Sequence, residues 1–125
     1  MKTVSSVLVI VVRIVFLIQL ILGIGFWTGH AFNLIGLHMI LGLAIVVCLW
    51  ISAIMAATAR VHAGIVVAAF VWGAIVVALG VTQTDLVPGS AHWTIQVLHL
   101  LLGMGAIGLN ERINRLIQHR LTQPA

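Results

Sequence analysis

From Ile14 to Ala59 the chain carries no Lys, Arg, Asp or Glu. A soluble domain has roughly a quarter of its residues charged and cannot cover itself without them. Here the whole chain is 6% charged and 62% hydrophobic, with a mean hydropathy of +1.26. The sequence reads as an integral membrane protein with almost nothing outside the lipid. A helix needs about 20 apolar residues, each rising 1.5 Å, to cross about 30 Å of hydrocarbon. The charge-free run is too long for one crossing, and the polar cluster Thr28, Gly29, His30 and Asn33 divides it in two.

Two further charge-free runs follow, Val61–Thr84 and Leu86–Asn110, separated by Asp85, Pro88, Gly89 and Ser90, which read as a turn. The expected spans are Val4–Trp27, Ala31–Thr58, Val61–Val81 and His92–Leu116. A barrel would show alternation over about 10 residues per strand, and these runs are continuous. Residues 1–125 are therefore expected to be one all-α domain, an up-down-up-down four-helix bundle in the membrane.

Orientation follows from the basic residues. Lys2, Arg60, Arg112, Arg115 and Arg120 flank one side, and the loops near 28–31 and 82–91 carry no Lys or Arg. The positive-inside rule puts both termini in the cytoplasm of a bacterial-type inner membrane, with Trp27 and Trp93 at the outer interface. The high pI reports topology, so nucleic acid is not an expected partner. The start Met1-Lys2-Thr3 before an apolar run resembles a signal peptide. No small-x-small cleavage site follows, so an uncleaved first span is expected. Cys48 is the single cysteine, which excludes an intramolecular disulfide.

Two short segments repeat: Gly36-Leu37-His38-Met39-Ile40-Leu41-Gly42 and Val97-Leu98-His99-Leu100-Leu101-Leu102-Gly103. Leu, His, Leu and Gly recur in register, each copy inside a span, so the two halves of the chain read as a helical-hairpin pseudo-repeat. A histidine in hydrocarbon is costly and rare without a partner or a task. His38 and His99 each lie seven residues into their expected span, about 10 Å below the outer surface at 1.5 Å per residue. Helices 2 and 4 face across a four-helix core. The two imidazoles are thus candidate axial ligands of one buried haem iron. Gly42 and Gly103 stand one turn beyond each ligand on the same helix face and would leave room for a porphyrin. Close helix packing explains such glycines equally well. Two alternatives stay open: histidines that only hydrogen-bond to each other, and a zinc or copper site, which lacks nearby Cys or carboxylate ligands.

The other polar residues are weaker candidates. His30 and His92 sit at the outer interface and could contact haem propionates, relay protons or meet a quinone; the plain alternative is a wetted interfacial imidazole. Arg13 lies inside helix 1, where it would either pair with propionates or snorkel to the cytoplasmic surface. Gln19 is a candidate neighbour of the haem edge. His62 has no evident partner, and His119 lies in the polar tail. Fourteen residues beyond the ligands stand Ser52 and Ile113, so a second bis-histidine haem is not encoded and one haem b per chain is expected. Met39, Met55 and Met104 read as packing. Gly25, Gly29, Gly103, Gly105 and Gly108 permit close approach of helices within the bundle or in a homodimer.

On these features the chain resembles a membrane b-type cytochrome, and more specifically one half of haem A synthase, whose two pseudo-symmetric four-helix bundles each carry a histidine on the second and fourth helices. The resemblance implies haem ligation by His38 and His99. It does not extend to synthase chemistry. Asn33, Leu34, Ile35, Gly36 and Leu37 supply no carboxylate before His38, and Met39 stands where that family commonly has Arg. The expected function is electron transfer by a bis-histidine cytochrome, an oxidoreductase role with a quinone or a redox protein as partner. A haem carrier, sensor or assembly subunit would use the same ligands. A small multidrug-type transporter would need a membrane-embedded carboxylate, and the only acids, Asp85 and Glu111, read as lying at opposite surfaces.

Overall fold

A computed structural model describes residues 1–122. These form four α-helices and no strand: α1 (Lys2–Trp27), α2 (Ile35–Thr58), α3 (Ala63–Thr82) and α4 (Trp93–Thr122), with a short 3₁₀ turn at Phe32–Leu34 before α2. Each α-helix is long and apolar enough to cross a bilayer. Large apolar side chains line the outside, among them Ile21 at 70% exposure and Ile40 at 68%, which suits lipid and not water.

The helix ends have local causes. After Trp27, the Thr28 hydroxyl bonds back to the Ile24 carbonyl at 3.0 Å, and Gly29 takes a left-handed φ of 80° that lets the chain leave the helix. The α2–α3 connection turns at Arg60, with φ 55°, and the Nδ1 of His62 accepts the Gly64 N–H at 3.1 Å. His62 is therefore the N-cap of α3 and satisfies one of the free amides of its first turn. Helix α4 runs to Thr122, beyond the Leu116 expected from hydropathy. The composition turns polar there, but one face stays in the bundle. Ile117 is fully buried, and Gln118 Nε2 reaches Ser6 Oγ at 3.3 Å.

Helices α2 and α4 each touch every other helix, whereas α1 and α3 do not meet. The cross-section is thus a rhombus with α2 and α4 on its short diagonal. Two tryptophans lie over glycines and fix the approach of α3. Trp72 packs on Gly105 and donates its indole N–H to the Leu102 carbonyl at 2.9 Å. Trp50 packs on Gly73 and stacks on Phe70, with centroids 6.1 Å apart.

Burial is uneven along the bundle. At one end Leu49, Ala53, Ala56, Ala69, Ala106, Ile113 and Ile117 form a core with no exposed surface. Four polar side chains join it at 0–1% exposure: Ser5, Ser52, Asn110 and Asn114. Ser5 Oγ donates to Asn114 Oδ1 at 2.7 Å, and Ser52 Oγ to Asn110 Oδ1 at 2.8 Å. Asn114 Nδ2 donates to Ser52 Oγ at 3.0 Å and to the Asn110 carbonyl at 2.8 Å. This network joins α1, α2 and α4 with the internal pairing that membrane helices use as glue. At the other end, among the described residues, Leu22 is the one buried side chain. His38 and His99 stand in that loosely packed end.

Candidate functional site

His38 projects from the first turn of α2 and His99 from the second turn of α4, across the short diagonal of the rhombus. Their ring centroids are 6.2 Å apart, with planes tilted by 47°. The duplicated motif is thus brought to a single point in space. Neither imidazole has a hydrogen bond among the described residues, and the Nδ1 atoms of both are buried without a partner. Burying an unpaired polar atom costs about 1–3 kcal/mol, so two such atoms at one spot mark a place where packing alone does not explain the residue choice.

The surroundings have some of the same symmetry. Each histidine has a glycine beside its Cε1, taken from the preceding helix. A methyl built on Gly23 of α1 would lie 4.0 Å from His38 Cε1, and one on Gly80 of α3 would lie 3.4 Å from His99 Cε1. Phe26 of α1 meets the His38 ring edge-on, with centroids 5.2 Å apart and an interplanar angle of 75°. Phe32 stacks on the far side of Phe26 at 6.3 Å. These aromatics fix the His38 ring from the outer side of the bundle.

Gln19 sits closer to His38 than sequence spacing suggested. Its Nε2 donates to the His38 backbone carbonyl at 2.9 Å. That amide fills the space beside Gly42, where a methyl carbon would come within 2.9 Å of Gln19 Nε2. Gly42 therefore admits a protein side chain, not the porphyrin edge expected there. Its counterpart Gly103 is different, since a methyl built on it meets no atom within 4 Å. The Oε1 of Gln19 is a third buried polar atom without a partner at this end.

The remaining candidates lie apart from the pair. Arg13 donates from Nε to Glu111 Oε1 at 2.7 Å. It is ten residues below Gly23 on α1, about 15 Å at 1.5 Å per residue, and its partner there is the α4 carboxylate, a pairing the sequence did not indicate. His30 Nδ1 lies 3.3 Å from Thr28 Oγ1. His92 Nδ1 lies 3.1 Å from the Leu86 carbonyl, which can only accept, so His92 carries its proton on Nδ1 when neutral. Both interfacial histidines thus serve their own loops.

Among the described residues no three His, Cys, Asp or Glu side chains gather at one point. The pair offers two protein ligands, short of the four a structural zinc takes. Two imidazoles would suit a metal carried by a planar macrocycle that brings four ligands of its own. The orphaned ring nitrogens, the backbone-only walls at Gly23 and Gly80 and the open side of Gly103 fit such a group. The serine–asparagine network lay outside the sequence reading, although Asn110, Asn114 and Gln118 recur every fourth residue on one face of α4 and could have signalled it. No family model matches this sequence, and neither a curated protein nor a solved structure matches it.

Proposed function

We propose that this protein is a membrane b-type cytochrome that holds one haem b between α2 and α4 through His38 and His99 and passes electrons at the membrane surface. The observation that carries the reading is the 6.2 Å separation of the two rings. A metal–imidazole bond is about 2 Å and a ring centroid lies about 1 Å behind its nitrogen, so two imidazoles on one metal have centroids about 6 Å apart. When bound, haem supplies a one-electron Fe(III)/Fe(II) couple.

The chain's own part is to hold and exclude. With His38 and His99 both holding the iron, no position would remain for oxygen or substrate, and the site would be restricted to outer-sphere transfer. Phe26 keeps the His38 ring in place, and the Gln19 amide ties α1 to the backbone of α2 at the ligand itself. Gly23 and Gly80, one on each preceding helix, support an up-down-up-down arrangement of two pseudo-repeated hairpins with the cofactor at their interface. The basic residues put both termini in the cytoplasm and the histidine end near the outer face of a bacterial-type plasma membrane. A quinone or a small redox protein arriving at that face is the partner chemistry of this reading. A haem carrier or sensor would share the ligands and differ in releasing the group.

Colour tests the proposal. Protein purified from haem-replete cells should show a sharp Soret band and split visible bands on reduction with dithionite. His38→Ala and His99→Ala should each abolish that spectrum, while His62→Ala, which removes only a cap of α3, should leave it intact. A colourless preparation, or unchanged spectra in both ligand variants, refutes the assignment.

A further inference from the structure

At the end opposite the histidines, α1 and α4 part to leave a cleft of about 300 Å³. It contains two guanidiniums, Arg13 and Arg115, and one carboxylate, Glu111. Arg13 is bound to Glu111 at 2.7 Å, so these two charges cancel locally. Among the described residues Arg115 makes no ion pair within 4.0 Å and no hydrogen bond, and it shares the field of Glu111 with Arg13, so the three groups leave the cleft with a net positive charge. The Gln118 amide beside it is held by the Ser5 and Ser6 hydroxyls, and Ile10, 56% exposed, gives the cleft an apolar wall on the outer surface of α1.

Depth identifies the ligand. Arg115 is 22 residues beyond Trp93, or about 33 Å along α4 at 1.5 Å per residue. The hydrocarbon layer is about 30 Å thick. With Trp93 at one interface, Arg115 stands at the other, level with lipid phosphates. Basic pockets between helices at that level take anionic headgroups. A zwitterionic headgroup would bring an ammonium that needs a carboxylate, and the only carboxylate here is held by Arg13.

We propose that the cleft between α1 and α4 binds the phosphate of an anionic phospholipid through Arg115, with the first acyl carbons against Ile10. Arg13 neutralises Glu111 and so admits the phosphate. The site is independent of the histidine pair and of any group bound there.

Native mass spectrometry of the full chain, with dioleoyl phosphatidylglycerol or dioleoyl phosphatidylcholine added to the detergent, tests this. One phosphatidylglycerol should be retained per chain in preference to phosphatidylcholine, and millimolar inorganic phosphate should not displace it. Arg115→Gln should weaken binding about five-fold, the usual share of one basic residue near a membrane surface. Glu111→Gln should strengthen it, because it frees Arg13; a gain of binding cannot come from misfolding. Arg112→Gln, in the groove between α3 and α4 beside His62, should change nothing. Equal retention of the two lipids, displacement by phosphate, no effect of Arg115→Gln, or weaker binding in Glu111→Gln would each overturn the proposal.

Discussion

The two ends of this bundle solve the same packing problem differently. At the serine–asparagine end the protein fills its own interior: small residues bring the helices together, Ile113 and Ile117 close the gaps, and four buried polar side chains bond to one another, with Asn110 Nδ2 left over without a partner. At the histidine end, among the described residues, Leu22 at 8% exposure is the one buried side chain, and three polar nitrogens or oxygens are without partners, on Gln19, His38 and His99. The transition is abrupt. Ile45, Gly73 and Ala106 are buried, and each lies seven residues, about 10 Å, from His38, Gly80 and His99 respectively. A membrane helix gains nothing from meeting another helix unless the contact is close or polar. One end has that contact from its own residues. The other has the residues of a site.

The largest expected effect follows from that contrast. If the histidine end is completed by a bound group, withholding haem should loosen that end alone. Hydrogen exchange on protein from haem-starved cells should show fast exchange at residues 19–27 and 95–103 and slow exchange at residues 45–56 and 106–117. Binding at a thousand times the dissociation constant is worth about 4 kcal/mol, so haem should slow exchange at the first set by up to about a thousand-fold. Equal protection of both ends in the starved protein would erase the contrast.

The sequence showed the histidine end better than the packed end. A charged or ionisable group in an apolar span stands out against its background, and the duplication of Leu-His-x-x-Leu-Gly placed both imidazoles at one level without any knowledge of side-chain packing. Helix number also followed directly from span length. What stayed hidden depends on which way a side chain turns. Gly42 and Gly103 look identical in their motifs, yet one abuts the Gln19 amide and the other meets nothing. Arg13 and Glu111 are far apart in the chain, and their pairing depends on how far a long side chain reaches down its own helix. Ser5 and Ser52 are small hydroxyls in largely apolar helices and became visible only once α4 brought Asn110 and Asn114 between them.

Two glycines on α4, two residues apart, sharpen the comparison further. A methyl on Gly105 would run into the Trp72 ring, whereas a methyl on Gly103 touches nothing. Overpacking of a filled core costs about 1–3 kcal/mol. Gly105→Ala should therefore lower the thermal midpoint with or without haem, and should weaken the Trp72 bond to Leu102 that depends on that approach. Gly103→Ala should leave the haem-free midpoint unchanged and reduce haem retention. If both variants behave alike, the two ends are not packed by different rules.

The smallest effect is expected at Ser52. Its hydroxyl is both donor and acceptor, giving to Asn110 Oδ1 at 2.8 Å and receiving from Asn114 Nδ2 at 3.0 Å. Ser52→Ala removes both bonds but orphans no further polar atom, Asn110 Nδ2 being without a partner already. Asn114 Nδ2 keeps the Asn110 carbonyl at 2.8 Å, and Asn110 Oδ1 keeps Asn114 Nδ2 at 3.3 Å. Side-chain bonds between membrane helices are worth about 0.6 kcal/mol on average, and the penalty for an orphaned group does not arise. The haem spectrum should be untouched, because Ser52 lies fourteen residues, about 21 Å, from His38 along α2. Unfolding in mixed detergent should thus shift by about 1 kcal/mol. A loss of several kcal/mol would mean that the network, and not the apolar core around it, holds this end closed.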